Sequence, residues 1–466
     1  MYDLLLIKPL SKYNLQHTPS LGLGFIAGYL ERCDYSVQIL DCNVLKILPE
    51  HLSQHVYLKN YRLIGIQAYD MDLMEVEKYI EVFRREASDV PIVVGGPAPS
   101  LNPELVFKFL KQADFLVVGE GEIALEKLLQ VAKLPNGSKD LLEKVPNLAW
   151  RDAGKIHFSS HEYVMDINFI GEPAWDLLNP VLYKDGVHGF FYRKLPVLPI
   201  MISRGCPFHC SFCGSRNIFG CKVRRRDTNQ VLNELEYLKS KYGLREFQVI
   251  DDNFTFHPEL ALEFAEGLIA RRMDLSWVCP NGLRLDTLNK KLLATMKASG
   301  CYEVAVGIES GDPIILKDMG KHLDLETIRE KINLIYSQGI NVVGFVMVGY
   351  PLETQDSLRK TIKFVLSLPL VRISLTRFVP MSGTSITNRL IANGEIKYDE
   401  IDPARLNYNS FSYIPPRFTE RQLSYWYRLF FLMFLLRPRI IFHNIRNIRS
   451  LSHARLIIQK IIGFFK

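Results

Sequence analysis

The chain has 466 residues, about three times the usual length of one domain, and its 48% apolar and 23% charged residues fit a folded globular protein. That composition excludes a disordered or collagen-like chain. Its net charge of +7 is unevenly placed, because residues 417–466 hold ten Lys and Arg against one acidic residue, Glu420. The remainder is slightly acidic and shows no recognition module, so no nucleic-acid partner is expected.

The sequence predicts neither a membrane span nor a secreted protein. The longest charge-free apolar run, Leu429–Leu436, has eight residues, whereas a bilayer span needs about 20. The residues before Leu4–Ile7 lack the basic segment and the small-residue cleavage site of a signal peptide. We therefore expect a cytoplasmic protein in which the cysteines stay reduced and are available to metals.

Residues 1–135 alternate short apolar runs with helical segments. The predicted strands are Leu4–Ile7, Ser36–Leu40, Leu63–Ile66, Ile92–Val94 and Phe115–Val118, with a helix over Leu21–Glu31 after the first. This pattern is typical of a parallel sheet covered by helices on both faces. Ligands of such sheets bind at the carboxyl ends of the strands, where Gly95-Gly96-Pro97 and Gly119-Glu120-Gly121-Glu122 lie. The alternative is that these glycines only form tight turns.

The alternation stops over residues 136–196, which we interpret as a connector in which the turn signals Pro135-Asn136-Gly137 and Asp152-Ala153-Gly154 flank hairpin strands. It resumes over residues 197–412, and residues 413–466 form a helical, basic C-terminal region. The second set of predicted strands is Ile200–Ser203, Glu246–Ile250, Trp277–Cys279, Val304–Ile308, Val342–Val348 and Arg372–Phe378. Six βα units predict a (β/α)6 partial TIM barrel, with chemistry at the strand ends.

Three cysteines follow the first strand of this second array. Cys206, Cys210 and Cys213 have Cys-x3-Cys-x2-Cys spacing. Three thiolates on one loop can bind three irons of a cubane iron–sulfur cluster and leave the fourth iron open to a ligand. The alternative is a structural zinc site, for which His209 or Cys221 would supply the fourth ligand.

This loop resembles the radical SAM superfamily, whose motif has the same spacing with an aromatic residue before the third cysteine, here Phe212. The resemblance implies that the three cysteines bind a [4Fe-4S] cluster, whose open iron chelates S-adenosylmethionine (SAM). An electron from a flavodoxin- or ferredoxin-type donor then cleaves SAM to methionine and a 5′-deoxyadenosyl radical. The cofactor supplies the reactive chemistry, and the protein orients and shields it.

Polar residues at later strand ends extend the resemblance. Asp251, Asp252 and Asn253 match the position that holds the methionyl amino group, and Glu309 matches a polar position near the ribose. Arg284 is expected to pair with the methionyl carboxylate, and Gly349, in the segment 344–353, lies on the adenine-side strand. Asp252 and Glu309 are the predicted catalytic residues. The alternative is that these residues are strand-end caps or surface ion pairs.

The first array resembles the Rossmann-like, flavodoxin-like domain of cobalamin-binding radical SAM enzymes. The resemblance implies that cobalamin binds at the strand-end turns, and the residues concerned are Leu21, Gly22, Gly95, Gly96, Pro97, Gly119 and Gly121. The Asp-x-His-x-x-Gly signature of cobalamin mutases is absent, since His17, His51 and His55 lack that context. No lower cobalt ligand is therefore named, and a domain that has lost cobalamin is the alternative.

The function expected from this resemblance is a cobalamin-dependent C-methyltransferase that acts on an unactivated carbon of a hydrophobic or natural-product substrate. Cyclisation, rearrangement or oxidation on the same cofactors, and a non-catalytic sensor, are the alternatives. In the tail, Ile441, Ile445 and Ile448 share one helical face, and basic residues lie roughly opposite. This pattern predicts peripheral contact with an anionic membrane, and a helix pair packed on the barrel is the alternative.

Overall fold

The computed structural model describes residues 1–12, 18–131, 139–183, 192–397 and 400–446. His17, the turn Pro135-Asn136-Gly137 and Ile448 lie outside the described residues, and nothing is described of the side chain of Ile445. The predictions made on them are therefore untested. The described chain is an α/β protein built on two mainly parallel sheets.

The first sheet has the strand order β2-β1-β3-β4-β5-β6-β7, in which β1 to β5 are parallel and β6 and β7 antiparallel. The strands are β1 (Tyr2–Lys8), β2 (Val37–Asp41), β3 (Tyr61–Gln67), β4 (Ile92–Gly95), β5 (Phe115–Val117), β6 (Leu148–Asp152) and β7 (Lys155–Phe158). The parallel part has the flavodoxin-like order, which places a topological switch point between β1 and β3. Residues 136–196, expected to be a connector, thus contribute two strands to the first sheet.

Helices cover both faces of this sheet because its strands are apolar on both sides. They are α1 (Leu21–Arg32), α2 (Cys42–Leu45), α3 (Leu73–Glu86), α4 (Pro97–Leu101), α5 (Pro103–Phe109), α6 (Glu122–Val131), α7 (Lys139–Leu142) and α8 (Trp175–Leu178). Short 3-10 helices lie at Pro49–Gln54, Leu58–Asn60, Asp70–Asp72 and Pro180–Leu182.

The second sheet has six parallel strands in sequential order, which is the geometry of an open barrel. Together with a short antiparallel pair, β9 and β10, its strands are β8 (Val197–Ile200), β9 (Ser203–Arg204), β10 (Arg224–Arg225), β11 (Glu246–Val249), β12 (Ser276–Leu283), β13 (Cys301–Glu309), β14 (Asn341–Val348) and β15 (Arg372–Arg377). The predicted (β/α)6 partial barrel is therefore confirmed.

The remaining helices cover the outside of the barrel and form the C-terminal region. They are α9 (Ser215–Phe219), α10 (Thr228–Tyr242), α11 (Pro258–Ala270), α12 (Lys290–Ala298), α13 (Pro313–Asp318), α14 (Leu325–Ser337), α15 (Gln355–Ser367), α16 (Ser385–Ala392), α17 (Glu420–Leu435) and α18 (Pro438–Arg446). Short 3-10 helices lie at Leu285–Thr287 and Pro403–Arg405.

The first barrel strand was placed wrongly from the sequence. The expected strand Ile200–Ser203 is β8, which ends at Ile200. Beyond it the chain leaves the sheet, because the Asp251 carboxylate accepts hydrogen bonds from the Ile202 backbone N–H at 2.7 Å and the Ser203 hydroxyl at 2.5 Å. Ser203 and Arg204 then pair with Arg225 and Arg224 instead.

The two sheets share an apolar core. One cluster of buried side chains contains residues of both, for example Leu4 of β1 and Leu198 of β8, and a second cluster covers the other face of the first sheet. Because apolar side chains of both domains are buried together, the strand ends of the first domain are held facing the strand ends of the second. Among the described residues, no helix is long and apolar enough to cross a bilayer.

Candidate functional site

The cysteine loop is anchored by backbone contacts at several points. The Cys206 N–H donates to Gly220 O at 3.3 Å, and the Cys213 N–H donates to Cys210 O at 3.1 Å. Between these cysteines, Ser211 donates to Met319 O at 2.9 Å. Gly205 precedes the loop with φ +94°, and a Cβ there would lie 2.3 Å from Lys222 O. Only glycine fits this entry turn, so the backbone sets the positions of the thiols.

Cys206 and Cys210 are partly buried, and burial raises the pKa of both. Cys213 has an exposed surface, but loss of water around its thiol still raises its pKa. A positively charged metal centre would favour their thiolates. Within the described ranges, no three His, Cys, Asp or Glu side chains converge tightly enough to ligate one metal ion. A cubane cluster needs a wider spacing, because each thiolate binds a separate iron.

The three polar residues after β11, Asp251, Asp252 and Asn253, differ in their surroundings. Asp251 is buried, burial raises its pKa to about 6, and both of its carboxylate oxygens accept hydrogen bonds from the chain leading to the cysteine loop. Burial also raises the pKa of Asp252, whose charge acts on Cys206 and Cys213. Asn253 is 3% exposed, and neither atom of its side-chain amide has a hydrogen-bond partner among the described residues.

Glu309 ends β13 in the left-handed region, with φ +61°, and pairs with Lys321 at 2.8 Å. Burial alone would lower the pKa of Lys321, but the charges of Glu309 and Cys210 outweigh it and raise that pKa. Sequence reasoning missed Lys321, which lies twelve residues beyond Glu309 and outside any motif. The strained turn and the ion pair bring a carboxylate and an ammonium group next to the cysteine loop.

Arg284 also lies at the cysteine loop. Its guanidinium carbon is 3.6 Å from the ring centroid of Phe208, and its Nε donates to the Asp286 carboxylate at 2.8 Å. Its charge acts on Cys206 and Cys210. Phe212, the aromatic residue of the cysteine motif, packs instead against a small apolar cluster that contains Tyr350.

Gly349, the predicted adenine-side residue, has φ +91° and lies beneath Leu423 and Phe411. Its N–H donates to the carboxylate of Glu353, which is 1% exposed. Burial raises the pKa of Glu353 to about 8. The buried carboxyl group of Glu353 thus holds the turn after β14 in place by accepting the hydrogen bond of Gly349.

The turns of the first sheet face the barrel. Gly96 has φ +108°, and a Cβ there would lie 2.9 Å from Ala68 O. A Cβ at Gly119 would lie 3.6 Å from Ile218 O, in the helix after the cysteine loop, and one at Gly214 would lie 3.0 Å from Leu101 of α4. The carboxyl edge of the first sheet therefore lies against the cysteine loop.

Two features of this edge fit a bulky ligand with many amide groups. A Cβ at Gly22, in the first turn of α1, would meet nothing within 4 Å, and one at Gly95 would meet only Val117 at 3.9 Å. Asp70 follows β3 at the same carboxyl edge; burial raises its pKa to about 7, and its Oδ1 has no hydrogen-bond partner among the described residues. The remaining predicted residues of this edge, Leu21, Pro97 and Gly121, lie at the starts of α1, α4 and α6.

A buried ionic network, which we call the clamp, joins the two domains. It consists of Arg204, Arg224, Glu120 and Glu122, whose side chains are all at most 4% exposed. Arg204 pairs with Glu120 at 3.0 Å and with Glu122 at 2.6 Å, and Arg224 pairs with Glu120 at 2.7 Å. Burial alone would raise the pKa of Glu120, but Arg204 and Arg224 hold it below its usual value. The clamp connects the turn after β5 to the residue two positions before Cys206.

Comparisons with known proteins agree with both halves of this site. The model of the radical SAM superfamily matches residues 200–365, and the model of the B12 binding domain matches residues 14–129. The first match contains the cysteine loop and the polar strand ends of the barrel. The second contains the turns after β1, β4 and β5.

Curated relatives resemble the chain over most of its length. An uncharacterized methyltransferase of Pyrococcus horikoshii is 28% identical over 95% of this chain and 92% of its own length. The anaerobic magnesium-protoporphyrin IX monomethyl ester cyclase of Synechocystis is 24% identical over 98% of this chain and 91% of its own. The cytidylyl-2-hydroxyethylphosphonate methyltransferase of Streptomyces wedmorensis is 28% identical over 72% and 69%.

Solved structures support the fold. The cobalamin-dependent SAM radical enzyme OxsB, with aqua-cobalamin and SAM bound, superposes with a TM-score of 0.74 at 17% identity, over 100% of this chain and 72% of its own. The radical SAM methyltransferase TsrM of Kitasatospora setae, with cobalamin and a [4Fe-4S] cluster bound, gives 0.67 at 19% identity, over 84% and 78%. At these identities the likeness concerns the fold alone.

Proposed function

Because the chain is a radical SAM enzyme with a B12-binding domain, we propose that it is a methyltransferase that methylates an unactivated carbon of a hydrophobic or natural-product substrate. The observation that carries this proposal is the clamp. Glu120 and Glu122 of the B12-binding domain bind Arg204, two residues before Cys206. The strand ends at which two different cofactors bind are thereby held against each other, which a reaction that uses both requires.

The residues divide between the two cofactors. Cys206, Cys210 and Cys213 hold the cluster, which supplies an electron to SAM when bound. Asp252 and the unpaired amide of Asn253 would bind the methionyl amino group of SAM, and Lys321 and Arg284 would supply positive charge for its carboxylate.

Other predicted residues act on the arrangement of the site. Glu309 orients Lys321 and would lie near the ribose of SAM. Asp251 positions the start of the cysteine loop, and Gly349 forms the turn that would lie on the adenine side. Asp251 is assigned this positioning role because the chain already uses both of its oxygens. Direct contact with SAM is assigned to the residues that follow it.

Cobalamin is assigned to the turns of the first sheet, at Leu21, Gly22, Gly95, Gly96, Pro97, Gly119 and Gly121. When bound, it supplies a cobalt atom that accepts and donates a methyl group. Asp70, which sequence reasoning missed, offers an acceptor to an amide of the ligand.

The proposed reaction consumes two SAM molecules for each methyl group. One loses its methyl group and leaves as S-adenosylhomocysteine. The other would take one electron through the cluster and divide into methionine and a 5′-deoxyadenosyl radical, which would remove a hydrogen atom from the substrate and leave as 5′-deoxyadenosine. The substrate carbon would receive the methyl group of the first SAM by way of cobalamin. One turnover therefore needs two electrons, one for cleavage of SAM and one to return cobalamin to the state that accepts the next methyl group. A flavodoxin- or ferredoxin-type protein is the proposed electron donor.

The names of the relatives support methyl transfer, and one of them also supports the alternative reaction, cyclisation. Two of those above are methyltransferases, and a hopanoid C-2 methylase of Rhodopseudomonas palustris is 25% identical over 82% of this chain and 66% of its own length. Of these names, the hopanoid methylase supports a hydrophobic methyl acceptor, and the phosphonate methyltransferase supports a natural-product acceptor of another kind. The similarity to a magnesium-protoporphyrin ester cyclase supports the rival, ring closure on the same cofactors.

Two cysteine variants and the omission of cobalamin test the cluster assignment and methyl transfer separately. Cys206→Ala is expected to abolish 5′-deoxyadenosine formation by the anaerobically reconstituted protein. Cys221→Ala, which removes an exposed thiol eight residues beyond Cys213, is the matched control that is expected to retain it. Omission of cobalamin is expected to remove S-adenosylhomocysteine formation from the wild type. Deoxyadenosine formed by Cys206→Ala contradicts the cluster assignment. Deoxyadenosine without S-adenosylhomocysteine in the complete mixture supports the cyclase instead.

A further inference from the structure

Helix α17 has one face packed on the barrel. Its buried side chains are Leu423, Tyr427, Phe430, Phe431 and Phe434, and the Tyr427 hydroxyl donates to Leu375 O of β15 at 2.9 Å. A capping box at Thr419 and Gln422 fixes its first turn. This face accounts for the attachment of the helix to the protein.

The opposite face is apolar as well. Tyr425, Leu429, Leu432 and Leu436 follow one another at spacings of four, three and four residues, which places them on one side of a helix. Tyr425 is 61% exposed, Leu432 38% and Leu436 68%. We call these four residues the α17 stripe. A surface helix normally turns polar residues to solvent, so an apolar stripe opposite the packed face points to a further contact.

Cations flank the α17 stripe on both sides. Arg421 and Arg428 lie along one side of α17, and Arg359 and Lys363 of α15 lie across a groove of about 560 Å³ on the other. Among the described residues, none of these four forms an ion pair with a carboxylate. Arg359 lies over the ring of Trp426, 5.4 Å from its centroid, at the wall of the groove. The apolar stripe is thus framed by unneutralised positive charge and an aromatic ring.

We propose that the α17 stripe docks on an anionic lipid membrane. Apolar side chains enter the boundary between headgroups and acyl chains, cations meet the lipid phosphates, and tryptophan is favoured at that depth. Phe442 of the following helix, α18, is a further apolar side chain with a large exposed fraction, 67%. A second copy of the chain is a poorer occupant, because a two-fold interface would bring the same cations face to face. This inference is independent of the proposed reaction.

Vesicle sedimentation with the full chain tests the inference. Vesicles with about 30% phosphatidylserine in phosphatidylcholine are expected to bind at least tenfold more strongly than pure phosphatidylcholine, and salt is expected to weaken the binding. Arg421→Gln with Arg428→Gln is expected to weaken binding about 30-fold, from roughly 1 kcal/mol per cation. Tyr425→Ser is expected to weaken it too, whereas Tyr57→Ser, a tyrosine of the first domain that is 64% exposed, leaves it unchanged.

Tryptophan fluorescence gives a second readout. Trp150, Trp175 and Trp277 are buried, and Trp426 is only partly buried. Brominated phosphatidylserine vesicles are therefore expected to quench wild-type emission, and Trp426→Phe is expected to remove that quenching while sedimentation persists. Equal affinity for both vesicle types, or equal effects of the two tyrosine variants, overturns the proposal. It is also overturned if the Tyr425→Ser variant changes only the oligomeric state in sedimentation velocity.

Discussion

Replacement of Arg204 by methionine removes one partner from the clamp and leaves its carboxylates buried. Glu122 then keeps no ion-pair partner among the described residues, and Glu120 keeps only Arg224. Breaking a buried pair in this way costs about 3–5 kcal/mol, because the remaining charge stays desolvated. That is a large part of the roughly 5–15 kcal/mol by which a native domain is stable.

Urea denaturation of the full chain measures this loss, and the neighbouring Arg225 supplies the control. Arg225 is partly buried and donates to Leu260 O at 2.6 Å but forms no ion pair among the described residues, so Arg225→Met is expected to cost only about 1 kcal/mol. Adding Glu122→Gln to Arg204→Met is expected to restore about 1–2 kcal/mol, since a neutral amide is less costly to bury. A loss below about 1 kcal/mol for Arg204→Met, or additive effects in the double variant, would refute the reasoning.

The clamp also predicts a pH dependence. The pKa of Glu120 is lower in the folded than in the unfolded protein. Its contribution to stability is therefore complete above the unfolded pKa and is lost as the pH falls through the folded value. Arg204→Met weakens the cause of the shift, so the variant should lose less additional stability than the wild type on acidification. A parallel decline of both in acid titrations of unfolding would contradict this.

Three further predictions concern single residues. Burial raises the pKa of Glu353 to about 8, above its value in the unfolded chain. The stability of the wild type relative to Glu353→Gln should therefore fall as the pH rises toward 8, by up to about 1.4 kcal/mol per pH unit. Thermal melting of both proteins at several pH values measures this, and a constant difference between them would contradict it. Gly96→Ala should destabilise the protein by about 1–2 kcal/mol because Gly96 has a positive φ. In contrast, a Cβ at Gly22 meets no protein atom, so Gly22→Ala should leave stability unchanged and weaken cobalamin binding, measured by absorbance titration. Unchanged cobalamin binding would show that Gly22 is not part of the site. Lys321→Met should weaken SAM binding about tenfold or more in equilibrium dialysis, the loss expected for a charge-assisted hydrogen bond; unchanged affinity would assign Lys321 to Glu309 alone.

Local patterns explain what the sequence could predict of this protein. Parallel strands buried on both faces appear as short apolar runs, so the strand at Ile92–Val94 was found within one residue of β4. The cysteine motif is local too, and its three thiols lie on one loop. The prediction for the first barrel strand was wrong because the chain leaves the sheet near Ile202, where it bonds to Asp251, 49 residues away.

Long-range partners explain what the sequence could not predict. The glycines of Gly119-Glu120-Gly121-Glu122 pointed to a ligand site, but the two glutamates of this segment bind Arg204, 84 and 82 residues away. Lys321 lies in no motif and gains its position from Glu309. Pairings of this kind depend on how two domains pack, which a single sequence does not display.

Labelled SAM tests the central claim, that both cofactors serve one methyl transfer, most directly. The anaerobically reconstituted chain is supplied with cobalamin, a low-potential reductant, a lipid extract and SAM that carries a deuterated methyl group, and the products are followed by mass spectrometry. We predict 5′-deoxyadenosine and S-adenosylhomocysteine in parallel, with the deuterated methyl group on a lipid-extract component. Deoxyadenosine alone, with no label transferred, would contradict methyl transfer and indicate cyclisation, rearrangement or oxidation.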